Sequence, residues 1–342
     1  MAERKMVQSM KTFKHFFEDS DYDIFSVKDG EQEPTQIGSV DDTGLTKIKK
    51  FVSISSESPR ITKILNNAGY FQESAFEPGG WEALVDLMGD LKPETLSELE
   101  SKKLPPLTKY PSGSISDVLS KASLSIDEMK PLMLFKTTDA GGSKVGRGEI
   151  VLALIFKDVK NISSGQRGDL SHNGLNLEVK GNKGRLGTQG GRGTGGASVE
   201  EFLTTVPEAS RDEVISRSAN NRGNVNDVQT IMYNAYKAAP NNSTLNNFKN
   251  ILSRFYKKDS IAKYITKNVF KDISSIKKSL LKTNAESYII SKGVDELLFI
   301  DTNISSSYVL FNKDTINDMI DSGRVTSNNY RIGDWYPNIT VK

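Results

Sequence analysis

Residues 168–181 read Gly168-Asp-Leu-Ser-His-Asn-Gly-Leu-Asn-Leu-Glu-Val-Lys-Gly181, and the expected architecture turns on them. Asn173-Gly174 is a two-residue hairpin signal, because both residue types tolerate the positive φ that a type I′ turn demands. Beyond the turn, Leu175, Leu177 and Val179 alternate with Asn176, Glu178 and Lys180. A strand with that pattern buries the first set and presents the second on its opposite face. A two-residue loop pairs His172 with Leu175, Ser171 with Asn176, Leu170 with Leu177 and Asp169 with Glu178. Opposed residues of an antiparallel pair share a face, with Cβ atoms roughly 5 Å apart. Asp169 and Glu178 are therefore expected side by side, with Lys180 one step along.

Two opposed carboxylates repel each other, and a divalent cation between them reverses that sign. Lys180 would then stand within reach of a metal-bound water, to orient it or to stabilise charge on a phosphate. Metal-assisted phosphodiester hydrolysis needs that geometry. A solvent-facing polar strand is the plainer reading of Glu-Val-Lys taken alone. The aspartate set opposite by the turn favours the metal, and a β-bulge would shift the register against it.

These residues resemble the PD-(D/E)XK nucleases, the restriction-endonuclease-like superfamily. Its pattern is an acidic residue, then a hairpin strand bearing Glu-X-Lys, often preceded by a helix with one more glutamate. The resemblance covers about residues 145–182, with support from strands at 296–311, and leaves 1–112 outside. It implies that Asp169, Glu178 and Glu149 bind Mg²⁺ (or Mn²⁺) and that Lys180 positions the attacking water. The family's Pro-Asp pair is Gly168-Asp169 here. Glu149, in Gly146-Arg-Gly-Glu-Ile, should lie on a helix, although the β-branched Ile150, Val151 and Ile155 also allow a buried strand. Gln229 and Tyr233 echo a Gln-X3-Tyr element of an exonuclease branch and are left off the site.

Composition narrows the chemistry. The chain has 342 residues, 36% hydrophobic and 26% charged, enough for two domains or for one α/β core with an accessory region. With no cysteine, disulfides, thiolate zinc sites and cysteine nucleophiles are excluded. The two histidines, His15 and His172, read as structural, so carboxylates must hold any metal, which favours Mg²⁺ or Mn²⁺ over zinc. No Gly-X-Ser-X-Gly elbow accompanies either histidine. The glycine-rich loop lacks the Gly-Lys-Ser/Thr of a phosphate-binding P-loop. The longest apolar run, Ile150 to Phe156, has seven residues, too few to span a membrane. Met1-Ala-Glu-Arg-Lys leads into no apolar signal segment, so a soluble cytoplasmic protein without membrane attachment is expected.

The net charge of +2 hides an asymmetry: residues 1–100 carry 11 basic against 19 acidic side chains, and the basic excess lies beyond. It peaks over 246–283, where ten Lys and Arg face only Asp259 and Asp272, interleaved with Phe248, Phe255, Tyr256, Tyr264 and Phe270. That is the footprint expected for a polyphosphate partner; a solvated helix face with inward aromatics is the alternative. Candidate DNA contacts are Lys257, Lys258, Lys263 and Lys267 here, and Lys183, Arg185 and Arg192 in the segment 181–196. Its eight glycines predict a mobile loop, able to close over phosphates or to act as a plain linker.

The expected organisation is an acidic, mainly helical accessory region over 1–112, then a restriction-endonuclease-like α/β core over 113–342, with a mixed central sheet flanked by helices. Residues 28–44 read as a loop. Helices are expected at 46–69, 80–99, 116–122, 125–130, 198–219, 224–238 and 313–322, with a broken one over 243–283. Strands are expected at 296–301 and 307–311. The function implied is Mg²⁺-dependent DNA hydrolysis by an endonuclease. The rival is a non-catalytic DNA-binding or structural protein of a larger assembly that keeps the same fold. A homodimer suits the family's double-strand cutters, and the acidic N-terminal region offers a surface for a protein partner.

Overall fold

A computed structural model of the chain describes residues 17–18, 21–26, 35–47, 105–121, 147–161, 168–187, 197–301 and 307–342. The chain divides into two compact units, one of 1–110 with 115–173 and the other of 111–114 with 174–342. It passes between them on either side of 111–114 and again inside the Asn173-Gly174 turn, so the division does not follow a single boundary at 112.

Strands β1 (Phe17–Glu18), β2 (Asp21–Ser26) and β3 (Thr35–Val40) form an antiparallel sheet in the first unit. β3 corrects the loop expected over 28–44. Its Thr35, Ile37 and Val40 are β-branched, and pairing with β2 satisfies the backbone groups that a loop would leave to water. Residues 42–47 are helical, capped by the Asp41 carboxylate, which accepts from the Gly44 amide at 2.7 Å. The rest of the helix expected at 46–69, and those at 80–99 and 125–130, lie outside the described residues.

β4 (Ser112–Ser114) belongs to the second unit; α1 (Ile115–Lys121), α2 (Arg147–Ile155), β5 (Val159–Asn161) and β6 (Leu170–His172) belong to the first. α2 takes up the apolar run after Glu149 as a helix: Val151 to Phe156 are at most 1% exposed, and a helix apolar all round is a buried one. β5 and β6 pair antiparallel, Val159 beside His172. The Asp158 carboxylate, just before β5, accepts from the Leu107 amide (2.6 Å), the Thr108 amide (3.2 Å) and the Thr108 hydroxyl (2.9 Å). His172 Nε2 lies 3.0 Å from Thr108 Oγ1 and 3.2 Å from Asp158 Oδ2, and Asn173 Nδ2 donates to Thr108 Oγ1 at 2.8 Å. These bonds latch residues 105–110 to the β5–β6 pair, a structural role for His172.

In the second unit β7 (Leu175–Gly181) is followed by α3 (Val199–Leu203), α4 (Glu208–Ser218), α5 (Val228–Ala238), α6 (Asn242–Leu252), α7 (Lys258–Tyr264) and α8 (Ile273–Lys292). The helix expected over 198–219 breaks ahead of Pro207, and the one over 243–283 breaks between α6 and α7 and at a 3₁₀ turn, Lys267–Lys271. Ser198, Asn241 and Asp272 cap α3, α6 and α8 by accepting from amides of the first turns. Then come β8 (Glu296–Ile300), β9 (Ser307–Asn312), α9 (Ile316–Asp321), β10 (Val325–Ser327) and β11 (Ile339–Val341).

Within this unit the strand order is β4-β9-β8-β7, with β7 and β8 parallel and the other pairs antiparallel. The architecture is α/β, a mixed sheet flanked by helices. One apolar cluster joins α3 to α6, the 3₁₀ turn and residues around Trp335. A second packs Leu281, Ala285 and Ile289 of α8 against Leu297 and Phe299 of β8 and Val309 and Phe311 of β9. The parallel register sets Glu178 beside Leu297 and Lys180 beside Phe299. The face of β7 that bears them is thus the face that α8 covers. Among the described residues no helix is long and apolar enough to cross a membrane.

Candidate functional site

Glu178 and Lys180 stand two residues apart on β7 and so point to one side of the sheet. Lys180 Nζ lies 2.5 Å from Glu178 Oε1. The Tyr288 hydroxyl, reaching down from α8, donates to the same oxygen at 2.6 Å. Lys180 Nζ and Lys292 Nζ each lie 5.8 Å from the centroid of the Tyr288 ring. Glu178 is 7% exposed, whereas about a quarter (26%) of the Lys180 side chain reaches the surface. Burial alone would push the Glu178 carboxyl up, but the hydrogen bonds from Lys180 and Tyr288, with the charges of Lys180 and Lys292, hold it below the ordinary carboxylate range. The site therefore offers a buried, ionised carboxylate beside a partly accessible ammonium group.

The plainer alternative, a solvent-facing polar strand, does not describe β7. α8 covers Glu178, and the alternate set is not uniformly inside: Leu177 is 0% exposed, Leu175 43%. Leu175 is the first residue past the turn, at the end of the strand. The turn itself is as expected, with φ of 51° at Asn173 and 86° at Gly174.

Asp169 immediately precedes β6 and is half-buried; Glu149 is half-buried in the first turn of α2. Both belong to the first unit, Glu178 and Lys180 to the second. The structure joins Glu178 to Lys180 directly. Among the described residues no three or more Asp, Glu or His side chains gather as a metal-ligand group. The donor chemistry still suits a hard cation: Mg²⁺ is commonly held by one or two carboxylates, with water completing its shell.

The candidate DNA contacts fall into three sets. Lys183 and Arg185 follow β7 in the described part of the glycine-rich segment, residues 181–187, which is held in place. The Lys183 amide donates to Ile339 O at 2.7 Å, the Ile339 amide donates to Gly184 O at 3.1 Å, and Leu186 is 0% exposed. Strand-like bonds and an apolar anchor thus pin residues 181–187, while Arg192 lies outside the described residues. Lys257, Lys258 and Lys267 are exposed and make no ion pair among the described residues. Lys263 instead pairs with Glu286 at 3.2 Å. The interleaved aromatics Phe248, Phe255, Tyr256, Tyr264 and Phe270 are all at most 8% exposed, so they build the core and offer no stacking platform for bases.

Sequence reasoning missed Tyr288 and Lys292. Their spacing of four on α8 puts them on one face, but nothing local ties that face to a glutamate 110 positions earlier. No family model, curated protein or solved structure matches the chain.

Proposed function

We propose that the chain is a Mg²⁺-dependent deoxyribonuclease, an endonuclease with a restriction-endonuclease-like core. The observation that carries this reading is the Glu178–Lys180 pair, an ionised carboxylate and an ammonium group on the strand that follows an Asn-Gly turn. A glutamate on α2 and an aspartate just ahead of β6 support the same pattern. In this reading Glu178 would be a ligand of the cation, for which Mn²⁺ could substitute for Mg²⁺, and the family resemblance would add Asp169 and Glu149 as further ligands. Bound there, the cation would neutralise charge on the phosphate and make a coordinated water more acidic. Lys180 orients the water whose oxygen attacks phosphorus. The water gives up a proton to solvent, the bond from phosphorus to the leaving sugar oxygen breaks, and that oxygen takes a proton from solvent. Tyr288 keeps the Glu178 side chain in one position while this happens.

Cleavage of supercoiled plasmid and linear duplex DNA, run in parallel with Mg²⁺, Mn²⁺ and EDTA, tests the proposal. Metal-dependent cutting that disappears in both Glu178→Ala and Lys180→Ala is the expected result. Wild-type protein that cuts with neither metal overturns it. The second reading is a non-catalytic DNA-binding or structural protein, favoured by the lack of a three-carboxylate group among the described residues. Such a protein binds DNA equally well in EDTA and never cuts it.

A further inference from the structure

The second unit holds a polar cleft of about 570 Å³ that the Glu178–Lys180 site does not use. One wall is the excursion from β10 to β11, which pair through Ser327 and Ile339. The others are Arg185, from the turn after β7, and Lys277 of α8. Its charged side chains are Arg185, Lys277 and Arg331 against Asp334, a surplus of cations.

Two of the three cations, Arg185 and Lys277, are held in place by side-chain bonds before any ligand arrives. Arg185 donates through Nε to Asn338 Oδ1 at 3.0 Å and through Nη1 to Asp334 Oδ1 at 3.2 Å. A guanidinium has five N–H donors, so more remain than are used. Lys277 Nζ donates to Asn329 Oδ1 at 3.0 Å, and Asn329 Nδ2 donates to Asp227 Oδ2 at 3.0 Å. Arg331 and Asp334 close a turn by mutual backbone bonds of 3.2 and 2.9 Å, with Gly333 at φ 86°. That φ at the third position is what a type II turn requires. The Arg331 guanidinium is exposed and has no ion-pair partner among the described residues.

The excursion that carries these groups is anchored from beneath. Tyr330 is 0% and Trp335 3% exposed. The Trp335 ring stacks on Phe255 at 4.2 Å, and its carbonyl accepts from the Tyr256 hydroxyl at 2.5 Å. Two aromatic side chains driven into the core leave the polar residues between and beside them facing the cleft. The turn after β7 links this cleft to the candidate site: a Cβ built on Gly184 would meet Lys180 Cβ at 3.3 Å, and Arg185 is the next residue.

We propose that this cleft binds the phosphodiester backbone of a DNA strand, with Arg331 and Arg185 as its phosphate contacts, and so carries the strand past Lys180. A phosphate oxyanion matches guanidinium geometry, and backbone contacts of this kind position a strand without reading its sequence. The inference rests on DNA being the ligand, not on its being cut.

The experiment is fluorescence anisotropy of labelled single-stranded and duplex 20-mers, in EDTA, across a potassium chloride series. It compares the wild-type chain, Arg331→Ala and Lys313→Ala, the last an exposed charge outside the cleft. Arg331→Ala should weaken binding about tenfold, the effect of one charged hydrogen-bonding contact. It should also flatten the salt slope by about 0.9, the loss of one phosphate contact. Lys313→Ala should do neither. Equal affinity and slope for Arg331→Ala and wild type overturn the site. Adenosine monophosphate or inorganic phosphate competing as well, per phosphate, as the 20-mer also overturns it, because the cleft would then take a free nucleotide or ion. Plasmid cutting by the same proteins separates the two proposals. If wild type never cuts but Arg331→Ala loses binding, the cleft stands and the nuclease falls. If wild type cuts and Arg331→Ala binds and cuts like it, the nuclease stands and the cleft falls.

Discussion

Glu178 stays charged while nearly out of water because two donors converge on one of its oxygens. Replacing it with Gln removes the charge and weakens both bonds, which should cost about 1.5–3 kcal/mol in urea unfolding, the usual worth of hydrogen bonds to a charged group. Tyr288→Phe deletes one donor and should raise the Glu178 pKa. The sign follows from the depression: stability from this carboxylate is present above its ordinary pKa of about 4.3 and is lost as pH falls through the lower folded value. Carbon-13 NMR of the Glu178 carboxyl should show its midpoint below about 4.3 in the wild type and higher in Tyr288→Phe. A wild-type midpoint at or above the ordinary value would remove the account of this site as an ionised pair.

Among the elements, the latch at Asp158 obeys the same rule. Burial pushes its carboxyl up, and the Leu107 and Thr108 donors outweigh that and pull it below the usual range. Asp158→Asn should loosen residues 105–110, seen as faster amide exchange at Leu107 and Thr108. The wild type should show the same loosening only as pH falls below about 4. Equal protection at pH 7 in wild type and variant would leave the latch without a role. In the turn between β6 and β7, a Cβ at Gly174 meets nothing within 4 Å, so substitution acts through φ alone. Gly174→Ala should cost about 1–2 kcal/mol in urea unfolding, the strain of an L-residue in the left-handed region. An unchanged unfolding midpoint would show that the turn tolerates another backbone conformation.

Across the second unit, the C-terminal segment belongs to both apolar clusters, through Trp335 in the helical one and Ile339 and Val341 in the one on the sheet. Trp335→Ala should therefore cost about 3–5 kcal/mol and reduce cooperativity as well as midpoint in denaturant melts. A loss under about 1 kcal/mol would show that the stacking on Phe255 anchors nothing. The basic segment separates in the same way. Its aromatics hold the core, Lys277 and Lys282 bond to Asn329 and Asp321, and Lys257, Lys258 and Lys267 are left as surface charge. One run of sequence thus serves packing and electrostatics at once, which composition alone does not separate.

Local pattern suffices for the Asn173-Gly174 turn and the β8 and β9 strands, whereas at Glu149 it leaves helix and buried strand both open. The turn and the two strands follow from the φ preference or spacing of a few neighbouring residues. Glu178 and Lys180 fall on one face of one strand for the same kind of reason, because the side-chain period of a strand is two. Long-range packing was needed to bring α8 over that face, to complete the pair with Tyr288, to pin residues 181–187 and to open a polar cleft beside them. The β3 strand likewise needed its partner β2. Those outcomes depend on which distant segments meet, and the free energy of such meetings resides in packing and paired hydrogen bonds that no local pattern records.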